Sequence, residues 1–213
     1  MAKPIVYGPA YSTYARTVRL ALEEKGVDYE LVEVDLLSGA AKAPEHLARH
    51  PFGKVPAFEH DGLVLYETDA ITRYINEAFE GPALEPADVR ERARMTQAIN
   101  VIGNYAYPAM IGQIFIQRAI MPMMGNAADE AAIAAAMPQA ETSVAALEKL
   151  IDGDAYLAGS QLSRADMLLI PVYDYFSQTP EGQQLLAAAP NLQRWWQSVQ
   201  SRPSVEKTRP ALG

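Results

Sequence analysis

Apolar residues recur with two different periods along this chain, and the change from one to the other divides it. Up to Gly81, runs that alternate with period two stand between helical stripes; beyond Pro86 only the helical period of about 3.6 recurs. Ile5 to Tyr7 is a short apolar run broken by Gly8-Pro9-Ala10, which predicts a strand. Ser12 or Thr13 then caps a helix running to about Lys25, with Ala15, Val18, Ala21 and Leu22 on one face and Gly26 as its stop. Tyr29 to Val34 alternates and predicts a second strand. Strand, helix and strand in that order make a βαβ unit, whose crossover implies parallel pairing. Leu36 to Arg49 is less regular and predicts a loop with a short helix around Pro44 to Leu47.

The stretch HPFGKVPAFEHDGLVLYET, His50 to Thr68, breaks the simple rules. Pro56 lies in an apolar run, yet proline cannot donate to a sheet ladder, so it belongs at a strand entrance or edge, with a cis bond as one option. The backbone beside it is then free for another partner. Phe58 to Tyr66 predicts two strands joined by a turn at His60-Asp61-Gly62, and Glu67-Thr68 opens a helix carrying Ile71, Tyr74, Ile75, Ala78 and Phe79. Gly81-Pro82 stops it, giving the order βαβ-ββα.

From Pro86 onward no strand pattern is found. Val89 to about Met121 is one helical pattern with Pro108 inside it, where a kink is expected because an interior proline costs about 3 kcal/mol. An alanine-rich helix follows from Asp129 to Ile151, with Pro138 inside. Ser163-Arg164-Ala165-Asp166 is a capping box with Asp in the place of Glu, flanked by the apolar pair Leu162 and Met167. Asn191 is the expected cap of a last helix with Leu192, Trp195, Trp196 and Val199. The fold class is therefore α/β plus all-α, with domains at 1–81 and 86–213.

Composition narrows the chemistry. A net charge of -8 and a pI near 4.9 argue against a nucleic-acid partner. No apolar run reaches the length of a membrane span, and MAKPIVYG enters a strand without a signal-like segment, so a cytoplasmic protein is expected, with no membrane partner. Cysteine is absent, which excludes disulfides, cysteine-ligated metal and a cysteine nucleophile; any thiol chemistry must use a substrate thiol. His46 and His50 have the i,i+4 spacing of a helical zinc pair, but no third ligand is evident and no metal is expected.

The segments YGPAYSTYARTVRLALEEKG, PEHLARHPFGKVPAFEHDG, LYETDAITRYI and LAGSQLSRADMLLIP together resemble the glutathione transferase family, in the right order over the whole chain. The GPAxST loop is closest to its serine-dependent, phi-like branch. The resemblance implies a thioredoxin-like first domain that binds glutathione and an all-helical second domain that binds the electrophile. It also implies a cis-proline at Pro56 and a homodimer, for which the helix face with Asp69 and Arg73 is a candidate. The implied activity is conjugation of the glutathione thiolate to hydrophobic electrophiles in detoxification. The alternatives are a glutathione-dependent peroxidase, isomerase or dehalogenase, and a glutathione-fold binding module without turnover.

On this resemblance, the Val55 main chain beside Pro56 pairs with the cysteinyl backbone of glutathione, a strand addition in miniature. Glu67 meets the γ-glutamyl ammonium, and Thr68 with the helix-start amides meets its carboxylate. Lys42 and Lys54 hold the glycyl carboxylate, although Ala41 stands where the serine branch usually has a histidine; His50 is a possible substitute. Ser12 is the hydroxyl that stabilises the thiolate, with Tyr7 as its rival and Tyr11, Thr13 and Tyr14 as neighbours. Lowering a thiol pKa of about 8.5 by about two units takes roughly 2.7 kcal/mol. One hydrogen bond to the charged sulfur, about 1.5–3 kcal/mol, and a helix N-terminus, about 0.3–1 kcal/mol, are enough together. Tyr11, Tyr105, Met110, Ile114 and Phe115, with Arg118 at the rim, are candidates for the electrophile pocket, though helical spacing alone would put most of them in core.

Overall fold

The computed structural model describes residues 2–151 and 153–210, which fall into two compact units. The first runs to Leu84 and takes up the chain again from Ser201; the second spans Glu85–Gln200.

In the first unit, β1 (Ile5–Tyr7) and β2 (Glu30–Val32) pair in parallel across α1 (Thr13–Glu24). β3 (Ala57–His60) pairs antiparallel with β1 and with β4 (Leu63–Tyr66), giving the order β2-β1-β3-β4. Both Asp61 (φ 45°) and Gly62 (φ 81°) have positive φ, the two-residue turn that best matches strand twist. α2 (Pro44–Arg49) follows a 3₁₀ turn at Ala40–Lys42, and α3 (Thr68–Ala78) packs against α1. Ala15, Val18, Ala21 and Leu22 are all fully buried, as their spacing predicts. Ser12 is the α1 cap, and Gly26 closes the helix end at φ 68°. β2 is shorter than the alternation over Tyr29–Val34 predicts, because its partner β1 has only three residues to offer.

The second unit is helical. α4 (Val89–Val101) continues through π turns at Ile102–Ala106, α5 (Tyr107–Ala109), π turns at Met110–Ile120 and α6 (Met121–Met123). Around Pro108, which lacks an amide donor, the backbone widens its hydrogen-bond register instead of keeping α geometry. α7 (Glu130–Leu150), capped by Asp129, α8 (Arg164–Phe176), α9 (Pro180–Ala187) and α10 (Pro190–Val199) follow. The capping box of α8 is present: Asp166, fully buried, accepts from the Ser163 amide (2.8 Å) and hydroxyl (2.7 Å), and also from the Leu157 amide and Trp195 Nε1.

Two expectations change. Asn191 is not the cap of α10, which starts at Pro190; the Asn191 and Leu192 amides donate instead to the Glu148 carboxylate of α7, at 2.8 and 2.9 Å. The helical unit also stops short of the C-terminal end expected for 86–213, because α11 (Pro203–Thr208) packs on α1 of the first unit. Arg16 and Arg19, buried on α1, donate to the Val205 and Thr208 carbonyls. Glu24 takes two bonds from Arg202, at 2.9 and 2.7 Å, and one from the Ser204 hydroxyl.

Candidate active site

The edge beside Pro56 is open. The Val55–Pro56 bond is cis, and the β1–β3 ladder begins only at Tyr7 opposite Ala57. Among the described residues, nothing hydrogen-bonds the Val55 amide or carbonyl. The approach is shaped by Gly53, at φ 58°, where an added Cβ would lie 2.8 Å from the Ala41 carbonyl and 2.7 Å from Lys42 Cδ. Only glycine allows Lys42 to cross this turn and donate Nζ to the Phe52 carbonyl at 2.9 Å. Lys42 and Lys54 are both exposed, and the Lys54 carbonyl is bonded to His46 Nε2 at 2.7 Å.

His46 and His50 stack with ring centroids 6.3 Å apart, and His50 also packs 5.0 Å from the Tyr66 ring. His50 is 3 % exposed, and burial pushes its imidazole below the ordinary histidine value. Ala41, also buried, packs with Tyr7, Val34 and Ala57, so the place of the family histidine is given over to core.

At the start of α3, Glu67 has φ 70° and ψ 115°, a conformation that costs a non-glycine residue about 1–3 kcal/mol. Its side chain is exposed and makes no cap bond, and Thr68 is the first helical residue, so helix capping accounts for neither side chain. The amides of this first turn, which the Glu67 side chain does not cap, carry the positive end of the helix dipole. The unusual backbone at Glu67 left no trace in the sequence, since the residue type gives no sign of positive φ.

The two candidate hydroxyls differ in what they touch. Tyr7 is buried and donates to Glu59 Oε2 at 3.0 Å, with the Arg49 guanidinium 4.2 Å above its ring. Burial, and then the hydrogen bond to Glu59, push its phenol above the ordinary value. Ser12 is half-buried at the N-terminus of α1; its Oγ accepts from the Ala15 amide at 3.3 Å. Its hydroxyl proton has no acceptor among the described residues. Glu59 and Arg49, which decide this difference, were not singled out in the sequence. The β1–β3 register that sets Ile5 opposite Glu59 is what would have found Glu59.

The electrophile candidates separate as well. Met110, Ile114 and Phe115 are buried within the second unit, and Phe115 stacks on Tyr175 at 4.5 Å. Arg118 is not an open cation: it donates to both Glu130 carboxylate oxygens and to Glu181, with the Nε–Glu181 distance at 3.0 Å. Tyr11 and Tyr105 remain accessible, at 38 % and 54 %. Among the described residues, no three His, Asp or Glu side chains are grouped to hold a metal ion.

The model of the glutathione S-transferase N-terminal domain matches residues 3–77, and that of the C-terminal domain residues 102–203. Probable glutathione S-transferase GSTF1 of Oryza sativa subsp. japonica is 34 % identical, over 95 % of this chain and 93 % of its own. Glutathione S-transferase 1 of Zea mays is 33 % identical, over 97 % and 96 %. Among solved structures, glutathione transferase F7 from Populus trichocarpa matches with a TM-score of 0.86 at 33 % identity, over 96 % and 97 % of the two chains. Glutathione S-transferase I from maize, in complex with an atrazine glutathione conjugate, matches with a TM-score of 0.84 at 33 % identity, over 97 % and 96 %. With its open edge beside Pro56 and these relatives along nearly its whole length, the chain belongs to the glutathione S-transferase family as a phi-like member.

Proposed function

We propose that this protein activates glutathione as a thiolate beside Ser12 and adds it to hydrophobic electrophiles, acting in detoxification as a cytoplasmic homodimer. The observation that carries the choice of Ser12 is the contrast between the two hydroxyls. Tyr7 already gives its proton to Glu59, whereas Ser12 has a proton to donate and sits at a helix N-terminus. The relatives of known name support conjugation, and one of them was solved with a glutathione conjugate.

The first domain binds glutathione. Val55 pairs with the cysteinyl backbone, Glu67 takes the γ-glutamyl ammonium, and Thr68 with the amides of the α3 start takes the adjoining carboxylate. Lys42 and Lys54 attract the glycyl carboxylate. The thiol proton leaves to solvent and the Ser12 hydroxyl donates to the sulfur. The thiolate then forms a C–S bond as the electrophile expels its leaving group with the bonding pair. Of the electrophile candidates, Tyr11 and Tyr105 are the exposed aromatic ones. For the dimer, the exposed apolar residues Phe52, Leu63 and Val64 of the first unit join the Asp69 and Arg73 face as candidate contacts.

The test is a pair of pH–rate profiles with an aryl halide. Ser12→Ala is expected to lower kcat/KM by about 10- to 100-fold, the loss of one hydrogen bond to a charged group, and to move the inflection to higher pH. Tyr7→Phe is expected to leave the inflection in place. A Ser12→Ala profile that matches the parent enzyme contradicts the assignment. A panel of epoxides and hydroperoxides tells addition from peroxide reduction.

A further inference from the structure

The sheet register sets side by side the two strand ends that lead into the Ser12 loop and into Glu33 and Asp35. β1 and β2 are parallel, with Tyr7 opposite Val32, and the Gly8 amide donates to the Val32 carbonyl at 2.9 Å. Both strands therefore end on the same side of the sheet: β1 runs on into Gly8–Ser12, and β2 into Glu33, Val34 and Asp35. Val34 is buried, while Glu33 and Asp35 on either side of it are exposed.

Asp35 is fixed in place. Its Oδ1 accepts from the Leu37 amide at 2.9 Å and the Ser38 amide at 3.2 Å, and the Ser38 bonds, foremost among these, hold its carboxyl below the usual carboxylate range. The partly exposed Tyr11 phenol, next to Ser12, is pushed up by burial first and then by the charges of Glu33 and Asp35. Arg19 of α1 is buried and engaged with the Ala10 carbonyl, the Thr208 carbonyl and the Tyr29 hydroxyl.

We propose that Glu33 and Asp35 form a negative rim beside the reacting sulfur that selects neutral or cationic electrophiles over anionic ones. This rests on the placement of the sulfur at Ser12 proposed above. An electrophilic carbon must come within bonding distance of that sulfur, so a carboxylate it carries comes beside the adjoining strand ends, one of which leads into Glu33 and Asp35. Exposed like charges repel over about a Debye length, about 8 Å at physiological salt and longer at low salt. The sulfur feels the same field, but two electrophiles meeting the same thiolate cancel that effect in their ratio.

The experiment compares a chlorodinitrobenzoate with its uncharged primary amide, each corrected for its uncatalysed rate. The full-length enzyme is expected to favour the amide about tenfold in kcat/KM at low salt, with the preference shrinking as salt rises. Glu33→Gln combined with Asp35→Asn, which keeps the turn acceptor, is expected to bring the ratio to within about twofold and to remove its salt dependence. Glu33→Gln alone, as a second variant, is expected to fall between. A ratio near one in the parent enzyme, or a ratio the substitutions leave unchanged, overturns the proposal. Turnover of neither compound by the parent enzyme overturns the transferase reading and takes this inference with it.

Discussion

Glu67 shows how much one residue can carry that a sequence does not disclose. The family resemblance, with the residue's place before a helix start beside a proline edge, implies it as the partner of an ammonium. Its strained backbone was not legible, because positive φ is normally signalled by glycine or asparagine. Glu67→Gly is therefore expected to stabilise the fold by roughly 0.5–1 kcal/mol in urea denaturation while raising KM for glutathione at least tenfold. A variant that loses stability would contradict the strain argument; an unchanged KM would remove Glu67 from the binding set. Gly53→Ala is expected to do the reverse on the first count, destabilising by about 1–3 kcal/mol, because the new methyl meets the Ala41 carbonyl. The choice between Ser12 and Tyr7 stayed open in the sequence for a similar reason. What separates them is Glu59, which is remote in sequence and comes beside Tyr7 only through strand register.

At the scale of elements, periodicity and local caps were readable, and contacts between distant elements were not. Ser163 to Asp166 announced the start of α8, yet its charge also gathers Leu157 and Trp195, a bond set no local pattern encodes. Asp166→Ala strands those donors in the interior and is expected to cost about 3 kcal/mol or more, measured by denaturant unfolding. Arg118, a candidate for the pocket rim on the family resemblance, ties the long helix to the starts of α7 and α9 through Glu130 and Glu181. Its guanidinium holds the Glu181 carboxyl below the usual carboxylate range. A depressed carboxyl adds stability that is present above the unfolded value, about 4.3, and is lost as pH falls through the folded one. Arg118→Met is thus expected to lower the unfolding midpoint at neutral pH and to flatten its fall between about pH 5 and 3. An equally steep fall in the variant would show that the pair does not carry this dependence.

For the whole molecule, the change of hydrophobic period near Gly81 and the later helical stripes gave the two-part organisation. The capture of the C-terminal segment by α1 escaped, since it depends on Glu24 and two buried arginines finding partners some 180 residues away. Burial alone would raise the Glu24 carboxyl, but Arg202 and Ser204 more than offset it and hold it low. Arg202→Met is expected to speed proteolysis of the C-terminal segment while leaving the glutathione KM within about twofold, because a part-buried ion pair is lost without touching the recognition stretch. At the centre of the proposed function is a glutathione thiolate formed beside Ser12. That claim is tested most directly by titrating the ultraviolet thiolate band of enzyme-bound glutathione in the parent enzyme, Ser12→Ala and Tyr7→Phe. The expected result is a thiol pKa about two units below that of free thiol in the parent and in Tyr7→Phe, returning toward about 8.5 in Ser12→Ala. A pKa that stays low in Ser12→Ala and rises in Tyr7→Phe would contradict the account.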